Sequence, residues 1–579
     1  MHDKWLNGEA LNKAEAALYR GQITRRQFMK AALAAGVAFH TASAMASDGE
    51  AAAINQLYNS KKIQEKYDFI VVGSGSGGCP VAGRLATETD GEVLLLEAGG
   101  TDQTELVSVP GNWPGNVRWA PGTDAPHDWG VTANPSDSVN GRSIVMPMGK
   151  VVGGGSAVNV MVWARGHKND FNFWAKEAGD DAWNYESVLN IYRRIEDWQG
   201  APDPKRRGTG GRLWVTEPDD INPIAPTLLD ACESLGIPKF VDQNGALMES
   251  EGGAAIANVR IKNGRRLSCA NEYIHPALSR PNMTMLTGAE VLNLKIAGDR
   301  VVGVRFEKDG EIHEIEAEKQ VILSAGAMNS PKILMQSGIG PDKVLAKVGI
   351  KQIVDLPGVG ENFQDHCLLG AVMWEYKEAI PPRNNFAEAT FFWKSDSGLD
   401  TPDLQPFQIE VPYVSPVTGA KFSPPPTCWS LSPGLVRPKS RGRLYLQSSD
   451  PKAKVKVDAG YLSNLDDVKA CMVGIELCRE IGNSPAMKDF VKREVMPGKK
   501  LNQYALANHV RDSLTTYFHH AGTCKMGTDE MSVVNSKLEV YGVSGLMIAD
   551  ASIMPRVATS NTMAPTVIIG ERAADILIA

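Results

Sequence analysis

The 579-residue sequence has no excess of positive charge. It contains 60 lysine and arginine residues against 67 aspartate and glutamate residues, which gives a formal net charge of −7 at pH 7. Proteins that bind nucleic acid need a basic surface for the phosphates, so this composition gives no support to that class. Outside the N-terminus, no apolar run reaches the roughly 18 residues that a membrane span needs.

Cysteine is scarce, with eight residues, and none of them lies in a CxxC pair or at a metal-ligand spacing. This excludes the usual zinc-binding patterns and gives no disulfide framework. We expect buried free thiols, with Cys471 and Cys478 on one face of a helix. The sequence also lacks internal repeats and low-complexity segments. Its length predicts two or three domains, and its 43% apolar and 22% charged residues are ordinary for a globular enzyme.

The N-terminus is interpreted as an export signal and not as part of the fold. The segment TRRQFMK at 24–30 has the paired arginines, the apolar residue and the lysine of a twin-arginine signal, and an alanine-rich run follows at 31–39. Small residues at Ala44 and Ala46 predict cleavage before Ser47. Residues 1–46 hold six basic and three acidic residues, so their removal changes the formal charge from −7 to −10. We expect export in the folded state to the bacterial periplasm; the alternative is an amphipathic N-terminal helix that stays attached.

Residues 68–97 predict a phosphate-binding βαβ unit. The apolar, β-branched run at 67–72 predicts a strand, and it ends in the glycine-rich sequence GSGSGG at 73–78. A helical stretch at 80–88 and a second buried strand at 93–96 follow. A GxGxxG sequence between two apolar strands is a strong indication of dinucleotide binding, whereas the same glycines alone would be weak.

Three glycines of this turn have separate tasks. Gly73 permits the tight turn, Gly75 lets the backbone approach a pyrophosphate, and Gly78 allows close packing of the helix on the strand. The N-terminus of the helix adds free N–H groups and a partial positive charge for the phosphates. Glu97 lies nineteen residues after Gly78, where its carboxylate can accept hydrogen bonds from a ribose 2′-OH. A carboxylate at this place disfavours NADP, because it would repel the 2′-phosphate.

The remainder of the chain predicts further loops, strands and helices. Residues 101–150 look like long surface loops, and a second glycine cluster, GKVVGGGSAVN, follows at 149–159. Alternating runs predict five strands between 283 and 324, the last two at 312–317 and 320–324. A proline-rich, strand-like region at 370–450 predicts an antiparallel sheet. Helices are predicted at four further places: one short helix in a linker at 47–66, two with a glycine-rich connection within 180–215, one at 465–482 and one at 502–514.

Four separated blocks resemble the glucose–methanol–choline (GMC) flavoprotein oxidoreductases, in particular the bacterial choline-dehydrogenase-like branch. Together they cover nearly everything from Lys66 to Ala579. The blocks are the nucleotide unit; GKVVGGGSAVN at 149–159; GAMNSPKILMQSGIG at 326–340 with LPGVGEN at 356–362 and QDH at 364–366; and the C-terminal HHAGTCKMG at 519–527, ADASIMP at 549–555 and SNTMAPT at 560–566.

The resemblance implies that the dinucleotide is FAD. It also implies an α/β fold (α+β overall), with a discontinuous Rossmann-like FAD-binding domain and a substrate domain on an antiparallel β-sheet. The FAD-binding domain is then expected at 66–165, 226–360 and 515–579, the last part with the catalytic residues. The substrate domain is expected at 166–225 and 361–514.

The resemblance also assigns the cofactor contacts. Gly73, Gly75 and Gly78 would serve the pyrophosphate and Glu97 the adenosine ribose. The backbone of Val291 would meet the adenine. The second and fourth blocks add contacts to the flavin, the ribityl chain and the pyrophosphate: Val152, Asn159, Asp550, Ala551 and Thr562.

The sequence departs from the family pattern at three positions. Met148 stands where an arginine often precedes Gly-Lys. Val158 occupies the place where some members carry a histidine bonded covalently to the flavin, so the flavin is expected to be non-covalent. His520 stands where proline or glycine is usual, which leaves two adjacent histidines as candidates for the catalytic base.

Alcohol oxidation requires a base for the hydroxyl proton, and the flavin N5 takes the hydride. A histidine, with an ordinary pKa of about 6.5, suits this task near neutral pH. His519 matches the family's catalytic position, whereas His520 would point in another direction. Asn561 matches the partner position and can donate a hydrogen bond to the forming alkoxide. His366 is interpreted as a structural residue at the domain junction, and no role is predicted for His127, His167, His275 and His509.

The leading hypothesis is an FAD-dependent alcohol dehydrogenase of the periplasm that passes electrons to a quinone, a cytochrome or another acceptor. The alternatives are an oxidase that uses O₂, a flavin-bound lyase that splits cyanohydrins, and an NAD-linked dehydrogenase. The substrate is a small-molecule alcohol that the sequence does not name. Six aromatic residues of the 370–450 region could favour an apolar or aromatic primary alcohol, although a role in the sheet core is the preferred interpretation: Trp374, Tyr376, Phe391, Phe392, Trp393 and Phe407.

Overall fold

The computed structural model of the chain describes residues 11, 13–14, 17–18, 22–35, 37, 39–61 and 63–579, with the backbone alone for 39–48 and 61. Two β-sheets organise it. One is a mixed, seven-stranded sheet, and the other is an antiparallel, six-stranded sheet. The predicted fold class, an α/β nucleotide-binding unit with a second antiparallel sheet, is confirmed.

The seven-stranded sheet contains the predicted nucleotide-binding unit. Strand Lys66–Val72 lies at its centre, parallel to Val93–Glu97 on one side and to Glu311–Leu323 on the other. The first two are almost fully buried, as expected for apolar strands covered on both faces. The other strands of this sheet are Met283–Thr287, Ala289–Ala297, Arg300–Lys308 and Leu546–Ile548.

One strand replaces two that were predicted. The runs at 312–317 and 320–324 belong to the single strand Glu311–Leu323. The polar residues between the runs fall at a β-bulge, where the pairing with Lys66–Val72 shifts in register. The backbone ladder continues through the bulge, so the interruption in hydrophobic pattern does not end the strand.

Four of the six strands of the antiparallel sheet lie in the proline-rich region at 370–450 that predicted it. In spatial order its strands are Val491–Met496, Met373–Tyr376, Cys428–Ser432, Phe407–Ile409, Ala389–Phe392 and Gly253–Ile256. The last strand corrects the predicted boundary at 226, because residues 253–256 pair with Ala389–Phe392 and so belong to the substrate sheet. Its short sequence GAAI has no alternation, and only the long-range pairing identifies its sheet.

The helix that starts at the glycine turn, Gly78–Glu88, packs against the C-terminal helix Met563–Ile578. A Cβ atom on Gly570 would lie 2.2 Å from the Gly77 carbonyl oxygen, so the two elements touch through backbone. The predicted helices at 465–482 and 502–514 form as Leu465–Gly482 and Gln503–Ser513. The remaining α-helices of the domains are Glu105–Ser108, Gly155–Val158, Lys168–Ala178, Tyr185–Ile195, Ile224–Ser234, Gly326–Gln336, Asp342–Lys347 and Pro416–Phe422.

Within 180–215 the prediction of two helices is wrong. Only Tyr185–Ile195 is an α-helix, and it is preceded by the 3₁₀ turn Asp181–Trp183. The segment after it forms two short parallel strands, Glu196–Trp198 and Leu213–Val215. In the first of these strands, the buried Glu196 carboxylate accepts hydrogen bonds from the Arg165 Nε, at 2.7 Å, and from the Trp163 Nε1, at 2.6 Å. The remaining short elements are Pro110–Asn116, Val131–Thr132, Asp137–Val139, Val145–Met146, Ala246–Glu249, Ile261–Lys262, Arg265–Arg266, Ala270–Ile274, His275–Ser279, Ile339–Gly340, Val354–Asp355, Cys367–Leu369, Gly434–Leu435, Arg443–Tyr445, Lys456–Asp458, Pro485–Asp489, Leu514–Thr516 and Ala551–Ile553.

Among the described residues of the N-terminal segment, Arg25–Ala34 and Phe39–Lys61 are helices. The helix Phe39–Lys61 is longer than the short helix predicted within 47–66, and it runs through the predicted cleavage site before Ser47. Its end covers the edge strand Met283–Thr287: the Gln56 amide nitrogen donates to the Met283 carbonyl at 2.9 Å and its oxygen accepts from the Met285 N–H at 3.0 Å. Such cover protects an otherwise open sheet edge.

In the described part of the chain, no helix has both the length and the apolar character that crossing a membrane requires.

All eight cysteines are buried and free, as predicted. Cys471 and Cys478 both face the core from the helix Leu465–Gly482. They act as small apolar side chains, since burial raises the pKa of each thiol far from the range in which a thiolate forms.

Candidate active site

One elongated cavity extends from the mixed sheet to the antiparallel sheet. The space that the centre of a water molecule can occupy in it is about 310 Å³. Glu97, Val291 and Lys332 line one end, and His519 and Asn561 line the other. We call these the nucleotide end and the catalytic end.

The glycine turn forms the floor of the cavity next to the nucleotide end. Gly73 has φ +98°, a left-handed conformation that favours glycine. A Cβ atom on Gly78 would lie 1.9 Å from the Gly73 carbonyl oxygen, so the helix can pack on the turn only with glycine there. Gly75 lines the cavity, and its Cβ position has no neighbour closer than 4.0 Å. The backbone N–H groups at the start of the helix Gly78–Glu88 therefore face a space open to an anion.

Glu97 lies where the sequence placed it, at the end of its strand and in the cavity wall. Its Oε2 accepts from the Ser74 N–H at 3.0 Å and from the Ser74 hydroxyl at 2.6 Å, and its Oε1 accepts from the Gly99 N–H at 2.7 Å. Burial raises the pKa of Glu97, and the hydrogen bonds from Ser74 partly offset this. A carboxylate has about four acceptor sites, so capacity for a ribose hydroxyl remains.

The second glycine cluster brings Asn159 to the cavity but not Val152. Val152 does not line the cavity and packs in the main core, so the structure does not place its side chain against a cofactor. Gly154 comes close to the first turn, since its Cβ atom would lie 2.7 Å from the Gly75 Cα. Asn159 is held by Arg266, whose Nη1 donates to the Asn159 carbonyl at 2.6 Å and to its Oδ1 at 2.8 Å.

The remaining predicted cofactor contacts all line the cavity: Val291, Asp550, Ala551 and Thr562. Asp550 joins separate segments, because its Oδ2 accepts from the Gly326 N–H at 2.9 Å and from the Ser330 hydroxyl at 2.5 Å. Burial raises its pKa, and the Ser330 hydroxyl counteracts this. Predicted residues of the first, second and fourth blocks thus meet around one space, together with Val291.

Two further residues of the nucleotide end were missed in the sequence, although they lie in the third block. The Asn329 amide nitrogen is buried and has no hydrogen-bond partner among the described residues. The Lys332 side chain also lines the cavity, and burial lowers its pKa. Both groups carry N–H donors, which phosphates and ribose oxygens require. The donors, the glycine turn and the Glu97 carboxylate fit a dinucleotide.

His519 dominates the catalytic end. Its Nε2 lies 3.4 Å from the Asn561 Nδ2, and its Nδ1 lies 2.9 Å from the Nδ1 of His366. Tyr517 stacks on the His519 ring at a centroid distance of 4.7 Å. The interpretation of His366 as a structural residue is therefore incomplete, because it contacts the candidate base directly from 153 residues away.

The hydrogen bonds determine which nitrogen of His519 carries the proton. The Asn561 Oδ1 accepts from the Gln405 Nε2 at 3.1 Å, so the Asn561 Nδ2, a donor, faces the His519 Nε2. In this amide orientation the Nε2 is the acceptor nitrogen, and the proton assigned to Nδ1 is donated to His366. This tautomer leaves the basic nitrogen pointing toward the cavity.

Asp365 positions the turn that carries His519. Its Oδ1 accepts from the His519 backbone N–H at 2.8 Å, and its Oδ2 accepts from the Thr516 hydroxyl at 2.6 Å and from the Tyr461 hydroxyl. Phe518 has φ +65°, a strained conformation for an aromatic residue. The buried carboxylate holds the backbone in place on both sides of this strain.

His520 takes a different direction, as predicted from its place in the chain. Its Nε2 lies 3.5 Å from the Asp365 Oδ2 and 3.4 Å from the Thr516 hydroxyl, and its ring stacks on Phe363. It also lines the cavity but has no contact with Asn561 among its hydrogen bonds. The four uncommitted histidines, His127, His167, His275 and His509, are absent from the described cavity wall.

Burial keeps the histidines at the catalytic end neutral. It lowers the pKa of His519 well below its ordinary value, and the neighbouring His366 and His520 add to the effect. Burial also lowers the pKa of His366 to about 3. A neutral imidazole is the form that can accept a proton from a hydroxyl group.

The glycine-cradled cavity and the histidine–asparagine pair at its end define an oxidoreductase with a bound dinucleotide. Residues 67–368 and 438–570 match the N- and C-terminal parts of the GMC oxidoreductase family, and the chain belongs to this family. It is an FAD enzyme that acts on CH–OH groups.

The similar proteins agree with this assignment. The chain is 34% identical over 539 residues to the oxygen-dependent choline dehydrogenase of Brucella anthropi, covering 88% of this chain and 95% of the relative. The corresponding protein of Photobacterium profundum is 32% identical, covering 88% and 93%. Among solved structures, pyridoxine 4-oxidase from Mesorbium loti has a TM-score of 0.82 at 30% identity, covering 88% of this chain and 98% of that one.

The depressed pKa of His519 predicts the pH dependence of flavin reduction. With His519 as the candidate base, its imidazole stays neutral well below the ordinary pKa of about 6.5, so the rate should be constant from pH 8 down to about pH 6 and decline only in more acidic solution. Anaerobic stopped-flow reduction at low, non-saturating substrate measures this rate, because that condition reports the pKa of the substrate-free enzyme. An acidic limb centred at about 6.5 or higher would contradict the assignment.

A melting curve at each pH is the control. The folded chain binds protons at His519 and His366 more weakly than the unfolded chain, so the stability that these residues contribute above about pH 6.5 is lost as the pH falls. Rates are compared only where the protein stays folded.

Proposed function

We propose that the enzyme is an alcohol dehydrogenase in which His519 is the general base and Asn561 binds the substrate oxygen. The observation that carries this proposal is the convergence of the His519 Nε2 and the Asn561 Nδ2, 3.4 Å apart, on one wall of the cavity. The first is an acceptor and the second a donor, so a hydroxyl group placed between them meets both of its needs.

The residues then act in a defined order. The substrate hydroxyl donates its hydrogen bond to the His519 Nε2 and accepts one from the Asn561 amide. His519 takes the hydroxyl proton as the C–H bond breaks, while Asn561 stabilises the charge on the oxygen. Bound FAD supplies the hydride acceptor in this reaction. The protonated His519 ring is stabilised through Nδ1 by neutral His366.

We propose a quinone, a cytochrome or another electron carrier as the acceptor, as the dehydrogenase class implies. An oxidase that uses O₂ is the second candidate, because one similar structure is named an oxidase and the bacterial relatives are named oxygen-dependent. The anaerobically reduced enzyme is mixed with a soluble quinone or with O₂, and the rate of flavin reoxidation is measured in each case. Faster reoxidation by the quinone supports a dehydrogenase, and faster reoxidation by O₂ supports an oxidase.

We further propose that FAD is held without a covalent bond. Val158 lines the cavity at the position where some family members attach the flavin, and its side chain has no nucleophile. Asn159 lines the same cavity and is fixed there by Arg266, so the contacts available to the ligand at this place are non-covalent.

The export hypothesis is also a proposal. Arg25, Arg26 and Lys30 are exposed on the helix Arg25–Ala34, whereas Phe28 is buried against Leu18. The basic residues of the signal are thus accessible while the domains are folded, which suits a route that carries folded proteins.

Replacement of Arg25 and Arg26 by lysine should keep the protein in the cytoplasm, because the paired arginines are the recognised feature of the signal. The retained protein should contain FAD and be active, since the cofactor is loaded before export. Cell fractionation with flavin fluorescence measures both properties. A periplasmic double variant, or a mature protein that keeps residues 1–46, would show that the signal assignment is wrong.

Three single substitutions test the catalytic assignment. His519→Ala removes the base and should slow reduction of the flavin by ~10²–10⁴-fold. Asn561→Ala removes one donor and should cost less, on the order of 10–10³-fold. His520→Ala should have a clearly smaller effect than His519→Ala, because its ring lies toward Asp365 and Phe363. Anaerobic stopped-flow reduction at saturating substrate gives the three rates.

The controls separate catalysis from cofactor loss. Each variant should keep the absorption spectrum of bound FAD, and acid precipitation should release all of the flavin into the supernatant. If His520→Ala abolishes reduction while His519→Ala does not, the roles of the two histidines are reversed.

A further inference from the structure

We infer that the catalytic end accepts an uncharged alcohol with an apolar body and rejects cationic alcohols. The inference rests on the proposed function and adds the class of substrate. It follows from the residues that surround the space beyond His519 and Asn561, from the partners of their polar atoms, and from the charges in the adjoining cavity.

The wall around the catalytic end is apolar and aromatic. Phe407 and Ile409 project into it from the antiparallel sheet, at alternate positions of one strand. Val160 and Leu368 contribute from other segments, and Phe518 from the turn before His519. Of the six aromatic residues suggested by the sequence, Phe407 alone is in this wall, and the other five pack in the core or against it.

The polar side chains in the same wall are mostly paired with protein atoms. The Tyr517 hydroxyl donates to the Gln405 carbonyl at 3.1 Å, and the Tyr413 hydroxyl lies 2.8 Å from that of Thr515. Asn116 offers a buried Oδ1 that has no partner among the described residues. This atom is a neutral acceptor, suited to a donor group on the substrate and not to a separate charge.

No carboxylate is available at the catalytic end in the part of the chain that the structure describes. The acidic residues in the cavity wall, Glu97, Glu290 and Asp550, belong to the nucleotide end. Asp365 lies behind the turn, outside the cavity wall, and is engaged by three donors. Glu410, next to Ile409 on the chain, accepts from the Arg383 backbone N–H at 2.6 Å and is not in the wall either.

A second cavity adjoins the catalytic end, and the charged side chains in its wall are cationic. It measures about 270 Å³ by the same definition and shares Tyr413 and Phe518 with the first. Trp119 contacts the edges of both rings, at centroid distances of 6.1 and 6.4 Å. The charged residues in the wall of the second cavity, among those described, are Arg118 and Arg142.

These features oppose a cation at each step. Asp128 offsets the charge of Arg118 at 3.4 Å, so a cation near the shared aromatic wall is repelled mainly by Arg142. Inside the catalytic end the cation loses its water without a counter-charge. Aromatic faces compensate only part of this loss. A neutral body of the same shape gains from the same apolar contacts.

A pair of isosteric alcohols tests the inference. Choline and 3,3-dimethylbutan-1-ol have the same shape, and they differ in the charge at the quaternary centre. The quantity compared is the rate constant of flavin reduction divided by the dissociation constant of the alcohol. We expect this ratio to be about 100-fold or more higher for the neutral alcohol than for choline. Anaerobic stopped-flow reduction of the wild-type holoenzyme gives both constants. A ratio near one, or in favour of choline, would overturn the inference.

A matched pair of variants tests whether the missing carboxylate causes the preference for the neutral alcohol. Ile409→Glu places a carboxylate in the wall, and Ile409→Gln places a neutral side chain of similar size there. At pH 8, the Ile409→Glu variant should reduce the preference for the neutral alcohol by about tenfold or more, and the Ile409→Gln variant should leave it nearly unchanged. An equal effect of both variants would show that shape, not charge, sets the preference.

The outcomes also separate this inference from the proposed function. If choline and its neutral isostere both reduce the flavin equally, the charge argument fails and the alcohol chemistry stands. If neither they nor benzyl alcohol reduces it, while dithionite does, the proposed function itself fails.

Discussion

The contact between the segment 364–366 and the turn that carries His519 is the constraint on which the rest of the site depends. Gln364 and Ala521 exchange backbone hydrogen bonds at 2.9 and 3.0 Å, Asp365 accepts from the His519 N–H, and His366 meets its imidazole. These residues lie next to the strand Cys367–Leu369, which pairs with Leu514–Thr516. The orientation of the base is therefore fixed by an interface between distant parts of the chain, and the strained backbone at Phe518 persists because this interface holds it.

The same interface also lowers the pKa values of the histidines at the catalytic end. It removes water from three imidazole rings, and burial lowers the pKa of each; at His520 the nearby Asp365 carboxylate opposes this effect. In the mechanism that we propose, neutral His366 accepts from the Nδ1 of His519, so that the Nε2 can accept from the substrate hydroxyl. Asn561, oriented by Gln405, then supplies the donor to the oxygen of that hydroxyl. Beyond this pair the wall is mostly apolar, so the proposed site stabilises charge at the substrate oxygen and at His519 and offers no counter-charge to a cation elsewhere on the substrate.

Local sequence patterns were sufficient for much of the fold. The glycine turn, its two apolar strands, the antiparallel sheet and the helices at 465–482 and 502–514 follow from periodicity and from the demands of tight turns. The strand Gly253–Ile256 and the continuous strand Glu311–Leu323 did not, because long-range pairing determines them. The site shows the same division. Recognisable blocks contain His519, Asn561 and Glu97. No spacing in the chain reveals the contacts on which the roles of His366, Gln405 and Lys332 depend. Val152 was assigned to the cofactor, although its side chain packs in the core.

The central claim is that His366 keeps the Nε2 of His519 available as the base. Replacement of His366 by leucine tests it most directly, with His509→Leu, another buried histidine outside the cavity wall, as the matched control. The measurement is anaerobic reduction of the flavin by a saturating alcohol in variants that retain the FAD spectrum. The account predicts that His366→Leu slows reduction by ~10–100-fold, the loss expected for one buried hydrogen bond, and that His509→Leu does not. Reduction at the wild-type rate in His366→Leu would contradict it.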